Sequence, residues 1–513
     1  MPKSDQVSTR IVGNVLMNWL AFAVTLLSGF VMSPFLIRHL GDSVYGVWVL
    51  IGSLSGYLGL LDFGVTTSIV KYTAEHRARQ DWDAMNRVMS GGLAIYSIAG
   101  LISLGVSVGV AFRFNNIFST PITNNTAAAV VLLAGLNLAV TFPATVFVGF
   151  VRGHQRYDLD AAITSLTVVA RSALLVILVF RGHGILAVAA VSFVFDMTRL
   201  AYLAYSAYRL NPRLRIAWEY VERPGLKRLF SYSFFAFLIV VGRQLLFFTD
   251  SIVIGLFLTT ALVTYYFVAN RLVMYLRLLV AEMVGVLMPR TSELGATDDQ
   301  AGIEELLVIS TKYMLMIALP VAGVFFIMGR TFIALWMGPG YSSSAPILSI
   351  LTIAMLAHFM EMPAHTVLLG LCKHRIVALF TFSQSLANLG LSIFLVRRIG
   401  LMGVALGTMI PMIISTAVAL IVYFKGFLNL SLADYLRRSC ALPVVIQAPF
   451  LASLLLLFRY RPPQSLVMFF AEIGVALVPY AAAALIVCIS RSERRAFFKI
   501  AESFGLRLSP RFS

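Results

Sequence analysis

The sequence predicts an all-α polytopic membrane protein of about 14 transmembrane helices. Three observations carry that expectation. Of 513 residues, 59% are hydrophobic and 12% charged, and the mean hydropathy is +0.88, more apolar sequence than a soluble core can use. The apolar residues gather in long runs, and about 20 residues suffice to cross a bilayer. The 40 Lys and Arg residues are dense in alternate connections and sparse in the others. A net charge of +17 could suggest a nucleic-acid partner, but this alternation assigns the charge to a membrane surface.

The apolar runs, in order, are 11–37, 44–70, 88–112, 127–151, 161–180, 184–208 and 230–257, then 262–289, 310–334, 345–370, 376–396, 400–424, 440–458 and 467–490. The first is too long for a signal-peptide core and lacks a small-residue cleavage site, so it reads as an uncleaved span. The longest connections, 71–87, 209–229 and 290–309, are too short to hold a folded catalytic domain. An even count puts both termini on one side, and that side carries 26 Lys and Arg against 8 opposite. The positive-inside rule therefore places both termini, 71–87 and 209–229 in the cytoplasm. Cys372, Cys440 and Cys488 lie in or beside apolar runs, with neither disulfide nor metal spacing.

A second period runs over longer distances. Pro143-Ala144 and Gly149 are followed by Arg152 and Arg156, and the next span ends at Gly182-His183-Gly184-Ile185. Six spans later Pro363-Ala364 and Gly370 are followed by Lys373 and Arg375, and the next span ends at Arg398-Ile399-Gly400-Leu401. The same signals in the same orientation suggest two six-helix lobes related by an axis along the membrane normal. This divides the chain into a lobe at 1–208, a basic linker at 209–229, a lobe at 230–425, two extra helices within 426–490 and a basic tail at 491–513. Pro143 and Pro363 are expected to kink their helices.

Polar side chains inside the spans are the candidate functional residues, because a charge near the bilayer centre costs roughly 2.5–3.5 kcal/mol on insertion scales. Span one carries Asn14, Asn18 and Thr25 on one stripe; span two carries Gly52, Ser55, Gly59, Asp62 and Thr66 on another. Helix packing explains the small and amide residues as well as a cavity does. Asp62 is harder to assign to packing. Span five puts Thr164, Thr167 and Arg171 on one face, and Arg171 has no acidic residue within a turn, which favours a cavity role. In span six Asp196 and Arg199 are spaced to pair with each other. The hairpin 230–289 is the richest, with Arg243, Asp250, Arg271, Arg277 and Glu282. At about 1.5 Å per residue, Asp250 and Arg271 share one depth and Arg243 and Arg277 another. A buried Asp250–Arg271 pair is one reading; a polar, cation-rich cavity is the other. His358, Glu361 and His365 would share a face of an unbroken helix, but Pro363 is expected to disrupt it, so no metal site is expected. There is no P-loop, nucleophile elbow or carboxylate pair on an aqueous loop, so ATP-driven transport would need a separate subunit, and no enzymatic activity, cofactor or nucleic-acid partner is expected.

Several short motifs resemble one family. Pro34-Phe35-Leu36-Ile37-Arg38-His39-Leu40-Gly41, Val44-Tyr45-Gly46-Val47-Trp48 and Gly59-Leu60-Leu61-Asp62-Phe63-Gly64 resemble the start of polysaccharide (O-antigen, Wzx-type) flippases of the multidrug/oligosaccharidyl-lipid/polysaccharide exporter superfamily. Asp250-Ser251-Ile252-Val253-Ile254-Gly255, Tyr265, Ala269-Asn270-Arg271-Leu272 and Met288-Pro289 look like their seventh and eighth spans. The resemblance covers most of the chain and fades beyond about residue 430. It implies two six-helix lobes around a central cavity, alternating access, and a polyprenyl-diphosphate-linked oligosaccharide carried from the inner to the outer leaflet of the bacterial cytoplasmic membrane.

On that resemblance Arg243, Arg271, Arg277, Arg171, Asn14 and Asn18 are expected to line the cavity, the arginines receiving the diphosphate. Asp250, Asp62 and Glu282 are the candidates for coupling to a proton or sodium gradient, since burial and nearby arginines both act on a carboxylate's proton. Membrane lipid, a polysaccharide polymerase and a chain-length regulator are the implied partners. The alternatives are a drug or metabolite exporter or a lipid II flippase of the same superfamily, and, more distantly, a membrane glycosyltransferase or polymerase.

Overall fold

The computed structural model describes residues 3–222, 234–284, 287–426, 428 and 430–488, with side chains described except at 3–15, 282–283 and 487–488. Regular structure among these residues is helical, without a strand. The chain forms two compact units, residues 1–267 and 268–513. The first holds α1 (Lys3–Leu40), α2 (Asp42–Leu58), α3 (Val65–Arg79), α4 (Trp82–Ile117), α5 (Asn124–Gly153), α6 (Tyr157–Phe180), α7 (Ile185–Leu210), α8 (Phe234–Phe257) and the start of α9 (Thr260–Val284). The second holds the rest of α9, α10 (Leu287–Ala296), α11 (Gln300–Trp336), α12 (Ala345–Gly370), α13 (His374–Ile399), α14 (Leu401–Gly426), α15 (Leu432–Leu436), α16 (Leu442–Tyr460) and α17 (Leu466–Ala483).

Thirteen helices among the described residues are long and apolar enough to cross a membrane. The expected span 262–289 corresponds to α9, which is long enough but is not one of the thirteen. Asn270, Arg271, Arg277 and three tyrosines lower its hydropathy. Several helices outrun the bilayer. α4 and α11 have 36 and 37 residues, about 54 Å and 55 Å at 1.5 Å per residue, and each begins at an aspartate cap. Asp81 accepts the Ala84 N–H and Asp299 the Gly302 N–H, both at 2.9 Å, which satisfies a first-turn donor.

The second predicted span is not one helix. α2 tightens into a 3₁₀ turn at Gly59–Asp62, then Phe63 (φ 47°) and Gly64 (φ 77°) enter the left-handed region before α3 begins. This removes Asp62 and Thr66 from the stripe shared with Gly52, Ser55 and Gly59, and turns most of the expected 71–87 connection into helix. Gly64 meets the turn without strain; Phe63, a non-glycine residue in the left-handed region, adopts it at a cost. α12 continues as helix through Pro363, where a disruption was expected, and α5 continues as helix through Pro143.

The two glycine-containing motifs of the repeat have one physical use. In the first unit a Cβ on Gly149 would lie 2.7 Å from Ile69, and one on Gly153 2.7 Å from Thr73, so the end of α5 lies directly on α3. In the second unit a Cβ on Gly370 would lie 2.8 Å from Thr291, so the end of α12 lies directly on α10. Each unit therefore packs the glycine end of its proline-bearing helix against a short helix, α5 on α3 and α12 on α10. Around the first of these contacts Ile69, Met85, Met89, Tyr96, Val146, Phe150 and Leu203 form a buried apolar core.

Part of the basic linker is tied to this core. The Arg215 N–H donates to Asn86 Oδ1 at 3.0 Å and the Ala217 N–H to Ser90 Oγ at 3.2 Å, which docks residues 211–222 on α4 beside a cavity of about 210 Å³. Residues 223–229 of the linker, and the tail 491–513, lie outside the described residues.

Candidate functional site

In the first unit the polar residues gather where α2 meets α8. A Cβ on Gly56 would stand 2.8 Å from Gln244 and 2.9 Å from Phe248, so these helices touch at that level. One turn further on, the Tyr57 hydroxyl hydrogen-bonds the Thr249 hydroxyl. Asp250, next in sequence, is buried and accepts the Tyr266 hydroxyl from the start of α9. Asp62 at the α2 break accepts hydroxyls from Thr66 (2.7 Å) and Tyr96. Asp62 is thus held by a phenol and a threonine, and Asp250 accepts from a phenol; such hydroxyls stabilise charge by hydrogen bonding while adding none. Arg243, seven residues before Asp250, is exposed in the protein alone, as is Asn18. The side chain of Asn14 lies outside the described residues.

The arginines of α6 and α7 are engaged differently from the expected pattern. Arg171 reaches Asp196 at 3.7 Å across the α6–α7 contact, and the Asn137 amide donates to the same carboxylate at 2.8 Å. The partner missing from its own helix comes from the next one. Asp196 and Arg199 do not pair with each other. Arg199 turns instead to Asp160, whose other oxygen receives Arg152 at 2.6 and 2.9 Å, while its Nε donates to Thr164 at 2.9 Å. Helical spacing allowed the local pair; an acidic side chain at the start of α6, 7% exposed and reached by two helices, binds the guanidinium more fully. Asp160 went unnoticed in the sequence. Its signal was its place eight residues after Arg152, across a short turn.

In the second unit Arg271 and Arg277 are half-buried on α9. Arg271 Nε donates to the Tyr275 hydroxyl at 3.0 Å, with its guanidinium 5.0 Å from that ring's centre. Arg277 Nε donates to Met274 Sδ at 3.4 Å, a weak acceptor. A guanidinium has five N–H donors, and each of these contacts uses one of them. The side chain of Glu282 lies outside the described residues. His358, Glu361 and His365 share a face of α12, because that helix runs unbroken through Pro363. No cluster of three or more His, Cys, Asp or Glu side chains arranged to hold a metal occurs among the described residues.

The family described as polysaccharide biosynthesis protein matches residues 11–295 of the chain. The "Putative O-antigen transporter" of Shigella flexneri is 22% identical over 412 residues, which is 79% of this chain and 95% of that protein. The "Uncharacterized membrane protein EpsK" of Bacillus subtilis is 21% identical over 417 residues, 78% of this chain and 80% of that one. Among solved structures, the lipid II flippase MurJ in an inward closed conformation superposes with a TM-score of 0.72 at 14% identity, covering 92% of this chain and 98% of its own. An inward-facing multidrug-resistance MATE transporter of the MOP superfamily gives 0.64 at 15% identity, with 80% and 96% covered. At these identities the two structures show a shared fold. That agrees with the all-α polytopic architecture expected from the sequence.

Proposed function

The chain belongs to the polysaccharide biosynthesis protein family, and from that premise we propose that it is a flippase for a polyprenyl-diphosphate-linked oligosaccharide, moving it from the inner to the outer leaflet of the cytoplasmic membrane by alternating access. The observation that carries this reading is the family match over 11–295, which includes the Arg243–Arg277 segment. The chemistry agrees. A lipid-linked diphosphate presents several anionic oxygens, and an arginine fork binds them with charge-assisted bonds. Arg243, Arg271 and Arg277 are the proposed diphosphate ligands; Arg171, engaged with Asp196, is better suited to holding α6 against α7. Asp250 is the proposed coupling carboxylate.

The test is transport in vesicles holding the purified protein and a fluorescent short-chain polyprenyl-diphosphate oligosaccharide. Each of Arg271→Ala and Arg277→Ala removes hydrogen bonds of about 1.5–3 kcal/mol to a charged group, about ten- to a hundredfold in affinity. Arg271→Lys keeps the charge and is expected to fall between. Asp250→Asn is expected to lose the response to an imposed proton or sodium gradient. Wild-type vesicles that move lipid II or an organic cation but not the oligosaccharide would replace this reading with one of its alternatives.

Orientation follows from the Lys and Arg asymmetry, which puts 71–87 and 209–222 in the cytoplasm. Single cysteines at Arg79 and Glu219 should resist an impermeant thiol reagent applied to intact cells and react once the cells are opened. Efficient labelling of intact cells at both positions would reverse the topology.

A further inference from the structure

The second unit contains a titratable cluster that the proposed transport chemistry does not use. Glu361 on α12 is 1% exposed, and neither of its carboxylate oxygens has a hydrogen-bond partner among the described residues. Its ion-pair neighbours there are two imidazoles of the same helix, His358 Nδ1 at 3.5 Å and His365 Nε2 at 3.9 Å. They stand three residues before and four after it, one turn to either side. From α14 the Tyr423 hydroxyl lies 2.9 Å from His365 Nε2, and Thr416 faces the carboxylate. The neighbouring Tyr435 hydroxyl is committed to the Met360 carbonyl and Thr311. No acidic or basic side chain of α10, α11 or α13 pairs with Glu361 among the described residues.

We propose that Glu361, His358 and His365, closed over by Tyr423, form a buried proton-binding site within the second unit. Charge neutrality is the reason. With no proton shared among the carboxylate and two imidazoles the cluster is an uncompensated anion; with one it is neutral; with two it is a cation. Burial penalises the first and last states, so the three groups bind and release protons as one unit, and each gain or loss places a charge inside the α12–α14 contact. Tyr423 reports the state. Its hydroxyl donates to His365 Nε2 when that nitrogen is bare and accepts from it when it carries a proton. His358, with 16% of its side chain exposed, is the more accessible end through which a proton enters. The site is separate from Asp62 and Asp250, both of which belong to the first unit.

The proposal concerns proton binding alone and stands or falls independently of the transported substrate. The test is infrared and histidine-labelled NMR titration of the full-length protein in lipid nanodiscs, from about pH 5 to 9, the range in which imidazoles charge. In wild type the assigned His358 and His365 resonances, two of the chain's seven histidines, should titrate in a coupled manner together with a protonated-carboxyl band. Glu361→Gln should abolish the pH-dependent carboxyl signal and uncouple the two resonances. Tyr423→Phe, which keeps the ring and its packing, should shift the His365 resonance and leave the carboxyl band in place. Should Glu361→Gln fail to fold, the wild-type spectra with Tyr423→Phe decide alone. A carboxyl signal and two imidazole signals that stay constant across the range, or that titrate independently of one another, would overturn the proposal.

Discussion

Gly46→Ala should prevent the accumulation of folded protein, and Gly46→Val should do so more completely. An added Cβ at that position would fall 1.8 Å from the Thr260 carbonyl oxygen and 2.7 Å from its carbon. Both are backbone atoms at the head of α9, so no rotamer change relieves the overlap. The same contact is fixed from the other side, where the Thr264 hydroxyl donates to the Asp42 carbonyl at 2.6 Å. Overpacking a close contact costs typically 1–3 kcal/mol when side chains can yield. Here two backbones must part, so about 3 kcal/mol or more is expected. Gly52→Ala is the matched control, because a Cβ there meets nothing within 4 Å. Fluorescence-detected size exclusion of the solubilised variants reads the result. If Gly46→Ala is as abundant and monodisperse as Gly52→Ala, the close approach is not what the glycine provides.

Asp160→Ala should be the most damaging single change in the α5–α6–α7 contact. It removes the carboxylate on which Arg152 and Arg199 converge, at a position where the aspartate side chain is 7% exposed. Breaking a buried ion pair from one side costs about 3–5 kcal/mol, because a charge is left behind without compensation. The lower end of that range applies, since the Arg152 side chain is 40% exposed and can turn to water. Arg199, at 27%, has less freedom and keeps only Thr164. Asp160→Asn should recover part of the loss through its amide oxygen. Thermal melts of the detergent-solubilised protein measure it; an Asp160→Ala melt coinciding with wild type would mean that the two arginines find other partners.

The fold was legible where it depended on apolar run length. The expected spans 184–208, 376–396 and 400–424 correspond to Ile185–Leu210, His374–Ile399 and Leu401–Gly426. It was not legible where one residue reverses the backbone. The Phe63–Gly64 turn sits in a segment as apolar as a helix, and hydropathy does not register a change in φ. Side-chain pairing was the least legible layer. Periodicity compares residues on one helix, so it offered Arg199 to Asp196; the structure chose Asp160, 39 residues away on another helix. The tyrosines that hold Asp62 and Asp250 were invisible for the same reason, being ordinary aromatic residues until their hydroxyls meet a carboxylate. Of the expected charged site residues, the structure describes the side chains of Asp62, Arg171, Arg243, Asp250, Arg271 and Arg277.

The low hydropathy of α9 has a consequence for how the chain enters the membrane during synthesis. A segment that places Arg271, Arg277 and Glu282 in one helix carries little insertion free energy of its own, since each ionisable residue near the centre opposes roughly 2.5–3.5 kcal/mol of partitioning. Its neighbour α8, charged only at Arg243 and Asp250, leaves the ribosome first and is joined to it by a connection of two residues between Phe257 and Thr260. The translocon therefore receives the pair as one object. The charges of α9, its proposed diphosphate ligands among them, are tolerated at birth because another helix is already there to accompany them.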